Sequence, residues 1–445
     1  MSAEGSSSTA SASDQLAPCK IADAWKIVQP MLLPTHLLRS SALDEISGFQ
    51  VWLKPENLQR TGSYKIRGAS YKLHQLKEQG GQHKVIAASA GNHAQGVAYA
   101  ARELGMDCVI VMPERAPLPK RRATERYGAK VMLVGDCFDD SLAYALKIAP
   151  AEKRDFISPY NDIEIITGQA TLGWEVLEEM KDNPPDAILV PVGGAGLIAG
   201  VAAIAKQICP QTRIIAIQSS CAPAFLRSWY AYRQKSEAVL PLDVPTQETI
   251  ADGVRVRHPG EICWHLCKDL VDAALQVDDV QIYQGILFLL EQAKLVSEGA
   301  GALGVAALLD PQTRKKLHEA GVKPGSRVVL IITGGNIDSL ILQRVIERGM
   351  SAKGRSQTIA VRVKDEPSQL GFILDFLRHH GASVLDLRRS WKTQPLISDF
   401  ADIEILIETE DDQHGKQVLA GLSHEAKIHK FELIQEIANP DNLNR

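Results

Sequence analysis

Residues 85–134, VIAASAGNHAQGVAYAARELGMDCVIVMPERAPLPKRRATERYGAKVMLV, alternate short apolar runs with amphipathic stretches. Val85 to Ala88 reads as a strand, Asn92 to Leu104 as a helix, Cys108 to Met112 as a strand, Leu118 to Tyr127 as a helix and Lys130 to Val134 as a strand. That rhythm is the signature of βαβ units and predicts a parallel sheet with helices on its faces. It returns downstream, with a strand at Ala187 to Val192, a helix at Leu197 to Ile208 and a strand at Arg213 to Gln218. A further strand, Val328 to Ile332, leads into TGGN and another helix. The loops Ser89 to Asn92, Gly193 to Gly196 and Thr333 to Asn336 therefore follow the carboxyl ends of strands, the edge of an open parallel sheet where ligands bind.

A chain of 445 residues is too long for one core, because single cores stop growing at roughly 250 to 300 residues. Residues 1–18 are assigned to a disordered tail, since the first fifteen, MSAEGSSSTASASDQ, are rich in Ser and Ala and lack the basic start and apolar core of a signal peptide. One region is expected over 19–349, with a small lobe at about 68–160 and a large lobe formed by the remainder. Residues 350–357 read as a linker. Beyond it Thr358 to Val363, Ser383 to Leu387 and Ala401 to Glu408 pattern as strands, and Ser368 to His380 and Gln413 to Leu422 as helices. This βαββα order predicts a separate small α+β module over 358–445.

With 45% hydrophobic and 23% charged residues and a net charge of −4, the composition gives no support to a nucleic-acid or membrane partner. No apolar run approaches the roughly 20 residues that span a bilayer. The seven cysteines, Cys19, Cys108, Cys137, Cys209, Cys221, Cys263 and Cys267, are scattered and odd in number, which fits a reducing, cytoplasmic setting better than a disulfide framework. Cys263, His265 and Cys267 are rejected as a metal site: on a helix Cys263 and Cys267 share a face and His265 points elsewhere.

Four runs carry chemistry. In ENLQRTGSYKIRGA, residues 56–69, Lys65 follows an aromatic residue and a Gly-Ser turn at the start of a helix. A lone lysine is usually a solvated surface group, but here the small and aromatic neighbours suit an amine that must lose its proton to attack a carbonyl. SAGNHAQG, residues 89–96, is a strand-to-helix turn. Its structural reading is a cap at Ser89 or Asn92 with a left-handed Gly91, and its functional reading is a nest of N–H groups for a carboxylate; both can hold together. VGGAG, residues 192–196, opens a helix as a glycine loop without the lysine of a P-loop or a GxGxxG fingerprint, so a small monophosphate suits it better than a nucleotide. In TGGNID, residues 333–338, the Thr333 hydroxyl can point at the sheet edge, while the plainer reading is a turn capped by Asn336.

Taken together and in this order, with SEGAGALGVAAL at 297–308, these runs resemble the fold-type II pyridoxal-phosphate enzymes, and among them the threonine and serine dehydratases. The resemblance spans about residues 20–345. It implies a two-lobed α/β catalytic region with parallel sheets, pyridoxal 5'-phosphate as cofactor, and β-elimination of water and ammonia from L-threonine or L-serine. Lys65 would carry the cofactor and act as the base at Cα, and Tyr64 would pack on the ring. Asn92 would bond the ring's phenolic oxygen, while Ser89, Ala90, Gly91 and His93 would embrace the substrate carboxylate. Gly193, Gly194, Ala195, Gly196 and Leu197 would form the phosphate cup, and Thr333 would face the pyridine nitrogen. The C-terminal run DEPSQLGFILDFL followed by HHGASVLDL resembles an ACT domain, which implies an amino acid effector, regulation and a homo-oligomer, a dimer or tetramer.

Some positions depart from the family pattern. Ala90 stands where racemases of the family carry a serine base, so racemisation is expected to be weak or absent. Ala195 interrupts a usual run of four glycines and is expected to avoid positive φ. Gln218, Ala222 and Ala224 supply no carboxylate for a divalent ion, and no metal is expected. Pro367, Ser368 and Gln369 replace the usual Pro-Gly of an ACT domain. Competing readings are a lyase for hydroxyaspartate or a phenylserine, a catalytically silent amino acid sensor, and a nucleotide-binding oxidoreductase, against which the missing dinucleotide fingerprint argues.

Overall fold

The computed structural model describes residues 16–81, 83–235, 240–390 and 399–437. The chain divides after Asp338 into two compact units. Among the described residues the first holds ten strands: β1 (Leu38–Arg39), β2 (Gln50–Pro55), β3 (Lys84–Ala88), β4 (Asp107–Met112), β5 (Lys130–Leu133), β6 (Asp155–Phe156), β7 (Ala187–Pro191), β8 (Arg213–Ser219), β9 (Ala273–Val277) and β10 (Arg327–Ile332). They form a four-stranded sheet in the order β5-β4-β3-β6 and a six-stranded sheet in the order β1-β2-β10-β7-β8-β9. Every pairing but that of β1 with β2 is parallel. The parallel α/β architecture read from the sequence is thus present, in two sheets.

Strands covered on both faces must be apolar along their whole length. In β7, AILVP, all five residues are buried, and in β3 only Lys84 is exposed. The strands that patterning missed are those that break the rule: β2 contains Lys54 and ends on Pro55, and β1 and β6 are two residues each. The missed β9, AALQV, is short and interrupted by an exposed Gln276. β10 lies between β2 and β7, so the large sheet closes only when the end of the unit returns to its beginning.

The buried Lys54 is explained by its partners. Its Nζ lies 2.7 Å from Glu175 Oε1 and 3.0 Å from Glu179 Oε1, and donates to the Thr35 carbonyl. Arg67, equally buried, places Nε 2.8 Å from Glu56 Oε2 and Nη2 2.7 Å from Glu56 Oε1, and reaches Glu175 Oε2 at 2.8 Å. The network ties β2 and the turn after it to the helices Lys65–Glu78 and Ile163–Glu179. Those helices also cross at two glycines: a Cβ on Gly168 would sit 2.6 Å from the Gly68 Cα.

Of the residues 1–18 assigned to a tail, 1–15 lie outside the described residues, while Leu16 is buried in a hydrophobic core and Pro18 opens the helix Pro18–Val28.

The second unit begins with the helix Ser339–Ala352, whose Val345 is buried. The stretch 350–357, read as a linker, is the end of this helix, a turn and the first residues of β11 (Ser356–Lys364). The helix Pro367–His379, β12 (Ser383–Ser390), β13 (Phe400–Glu408), the helix Asp412–His429 and β14 (Glu432–Ile437) follow. The order is βαββαβ, one strand more than the βαββα expected, and the sheet runs β12-β13-β11-β14, all antiparallel. Ile359, Val361, Ile403, Ile405 and Ile407 line one face with Ile373, Leu377, Val418 and Leu422, while Arg362 and Asp402 pair on the other. β14, ELIQEI, is mostly charged and polar, and its place is decided by pairing with β11.

Glu56→Gln is expected to cost about 3 kcal/mol in urea denaturation, because removing one partner of a buried pair strands the other charge. Burial acts to raise the Glu56 pKa, but the charge and hydrogen bonds of Arg67, with Lys54 and Thr35, hold it below the usual 4.5. Its contribution is therefore complete above the unfolded carboxyl's pKa and is lost as pH falls through the lower folded value. The Gln variant should be less sensitive to acid over that interval.

Candidate active site

Lys65 is the first residue of the helix Lys65–Glu78, on the turn that follows β2. Its Nζ donates to the Pro159 carbonyl at 2.7 Å, across from the loop after β6. Burial lowers the amine's pKa to about 8, against the opposing pull of Cys263 and Glu298. A lysine so placed spends a fraction of its time neutral near neutral pH, the state a nucleophilic or basic amine requires. Tyr64 precedes it, with the ammonium 5.4 Å from its ring centroid. The Tyr64 N–H donates to the Thr333 carbonyl, and Ser63 bridges Gly334, so the lysine turn and the loop after β10 are sewn together.

On that loop the Thr333 hydroxyl is buried and has no hydrogen-bond partner among the described residues. A buried orphan of this kind costs about 1–3 kcal/mol unless a ligand satisfies it.

Ser89 to Asn92 sit partly exposed at the carboxyl end of β3. Gly91 is the N-cap of the helix Asn92–Leu104 at φ −138° and ψ −137°, so it is not left-handed, and neither Ser89 nor Asn92 is the cap. The Ser89 hydroxyl instead accepts from the Gly91 N–H at 3.1 Å. Space above Gly91 is open: a Cβ there would meet nothing within 4 Å. The helix's first N–H groups thus face an accessible cleft bordered by Ala90. His93 is buried, and its Nε2 donates to the Ile157 carbonyl. Burial and the Lys65 charge push its pKa to about 3, so the ring stays neutral and only its backbone is suited to an anion.

Gly193 to Leu197 form a tight loop into the helix Gly196–Ile208. A Cβ on Gly194 would lie 2.3 Å from the Tyr160 ring, and one on Gly193 would lie 2.9 Å from the Val254 Cα. The loop therefore has no room for a side chain at Gly193 or Gly194. Ala195, expected to avoid the left-handed region, adopts it at φ 72° and ψ 4°. The helix start here requires that conformation, and the methyl group bears the strain.

Gln218 holds the strand end together, donating to the Val192 carbonyl and accepting from the Leu226 N–H. Among the described residues no cluster of His, Cys, Asp and Glu could hold a metal. Cys263 and Cys267 are buried and His265 is exposed.

Two residues of the site carry roles that patterning did not assign. Glu298 is buried and accepts from Asn92 Nδ2 at 2.7 Å, and Asn336 donates through Nδ2 to Asn92 Oδ1 at 2.8 Å and to the Thr61 carbonyl. Glu298 is the lone charge in VSEGAGALGVAALL, residues 296–309, and an acid isolated in an apolar run is the signal that marks it.

The cleft thus offers an amine, a glycine cradle on a helix N-terminus and an orphan hydroxyl, a donor set that fits an aldehyde carrying a phosphate and a ring nitrogen. Residues 28–334 match the family model for pyridoxal-phosphate dependent enzymes. The chain belongs to that family.

The L-threonine ammonia-lyase of Thermotoga maritima is 40% identical over 413 residues, covering 92% of this chain and 98% of its own. That of Geobacter sulfurreducens is 37% identical over 390 residues, covering 87% of this chain and 92% of its own. Among solved structures, the processed form of threonine deaminase isoform 2 from Solanum lycopersicum is similar at a TM-score of 0.66 and 30% identity, covering 75% of this chain and 89% of its own. Maize serine racemase gives a TM-score of 0.66 at 31% identity, covering 74% and 96%.

Ala195→Gly is expected to raise stability by about 1 kcal/mol, since glycine carries no penalty for positive φ. Thermal melting of the two proteins measures it.

Proposed function

We propose that the chain removes water and then ammonia from L-threonine or L-serine, giving 2-oxobutanoate or pyruvate. The observation that carries this reading is the convergence of Lys65, the Gly193–Gly196 cradle and the partnerless Thr333 hydroxyl on one cleft. The names of the threonine ammonia-lyase relatives supply the substrate class.

When bound, pyridoxal phosphate supplies the electron sink for the pair released at Cα. Lys65 would anchor it, the N–H groups from Gly193 to Leu197 would hold its phosphate, and the neutral Thr333 hydroxyl would face its ring nitrogen without adding a charge there. Once the substrate amine takes its place, Lys65 accepts the Cα proton, and its lowered pKa keeps the amine available near neutral pH. The first turn of the helix Asn92–Leu104, with Ser89 to Gly91, orients the carboxylate. The β-hydroxyl leaves as water on taking a proton, which the Lys65 ammonium formed at the previous step can return, and the released enamine hydrolyses in solution to the 2-oxo acid and ammonia.

We infer that residues 358–445 act as an ACT-like regulatory module of a homo-oligomer; the one-sided antiparallel βαββαβ sheet supports this. An amino acid effector should then shift the KM for substrate, a change that initial-rate measurements with added amino acids would detect.

Lys65→Ala is expected to abolish 2-oxo acid release from threonine and serine while leaving the fold intact. Retained turnover would remove Lys65 from the reaction. A panel including hydroxyaspartate and phenylserine, assayed the same way, decides the substrate.

A further inference from the structure

Glu298 stands at the N-cap of the helix Gly299–Leu309, yet its side chain caps nothing in that helix. Asp162, Asp278, Asp310 and Asp411, at the same position of other helices, all accept from their own first turn. The Glu298 carboxylate instead reaches across to Asn92 on the small lobe. It also lies against the loop after β10: a Cβ on Gly334 would be 2.6 Å from Glu298 Oε1.

Chemistry fixes the polarity of this contact. The Thr61 carbonyl can only accept, so the Asn336 amide nitrogen points to it and, with its other hydrogen, to Asn92 Oδ1. Asn92 must then present its N–H2 edge to Glu298. One of those hydrogens is committed to the carboxylate, and the other remains for the ring oxygen that the family resemblance assigns to Asn92.

We propose that Glu298 is a positioning residue of the elimination: as a carboxylate it locks the Asn92 amide in this orientation and balances positive charge on the Lys65 nitrogen. The inference rests on the pyridoxal-phosphate reading of the cleft and goes beyond it. Several groups face this carboxyl. Asn92 comes from one helix, Lys65 and the Tyr64 before it from the start of another, Lys120 from the helix Leu118–Arg126, and Asp252 from the short helix Asp252–Val254, where it pairs with Lys120 at 2.8 Å. Burial and then Asp252 raise the Glu298 pKa to about 7, against Lys120, the Asn92 hydrogen bond and Lys65. The locking charge is therefore present above neutrality and is withdrawn as the pH falls through about 7.

The test is a pH titration of the visible absorption of the holoenzyme, with kcat measured alongside, for the wild type, Glu298→Gln and Glu298→Asp. An ionised Glu298 favours the protonated nitrogen, so in Glu298→Gln the chromophore midpoint should fall by about one to three pH units. Its kcat should fall roughly tenfold at alkaline pH and lose the acid limb near pH 7. Glu298→Asp keeps the charge and should restore the midpoint, with melting curves reporting the fold of each variant. Coincident midpoints for the wild type and Glu298→Gln overturn the proposal. If the Gln protein does not fold, the wild type decides, and a kcat profile without an acid limb near pH 7 overturns it equally. Absorption reads the bound cofactor alone, so inactivity toward threonine and serine would refute the substrate reading and leave this test standing.

Discussion

Arg67 follows Lys65 by two residues, and none of its side chain reaches water. An isolated guanidinium in that position would be ruinous, because burying an unpaired charge costs several kcal/mol. The two-pronged contact with Glu56, the second carboxylate of Glu175 and the ring of Trp25 at 5.7 Å make the position tolerable. The geometry is demanding, and so it dictates where the helix Lys65–Glu78 begins. The lysine at its start is held over the cleft because the arginine one side of the turn away has a single place to go. Lys54 repeats the arrangement from β2, using the other oxygen of Glu175.

Around that anchored turn, burial sets the protonation states. One low-dielectric cleft pulls Lys65 down toward neutrality, pushes Glu298 up toward it and holds His93 uncharged. The glycine loop packed on Tyr160 and the first turns of two helices carry backbone N–H groups of the kind that suit an anion. The strained Ala195 is the place where this cradle departs from an all-glycine design.

The unit after Asp338 is built on different physics. Its sheet is antiparallel and apolar on one face only, with alternating isoleucines and valines on β11 and β13 and charged residues opposite. β12 lies at one edge, with a bulge between Val384 and Asp386 that shifts its register. Such an edge is a strand-pairing surface that twist and charge keep in check.

Much of this protein is legible from residue order alone. The βαβ alternation, the helix Asn92–Leu104 and the three loops after strand ends follow from apolar periodicity and glycine placement, because these are local properties of the chain, whereas Lys65 was marked by the resemblance of its motif. Tertiary structure decided what depends on residues far apart. β2 carries a buried lysine that only Glu175 and Glu179 can justify, β10 returns to lie beside it, and β14 is recruited by its neighbour rather than by its own composition. The negative φ of Gly91, the left-handed Ala195 and the buried carboxyl of Glu298 belong to the same class. Each answers to a partner more than sixty residues away or to the packing of a helix start, and periodicity within a segment carries no record of such partners.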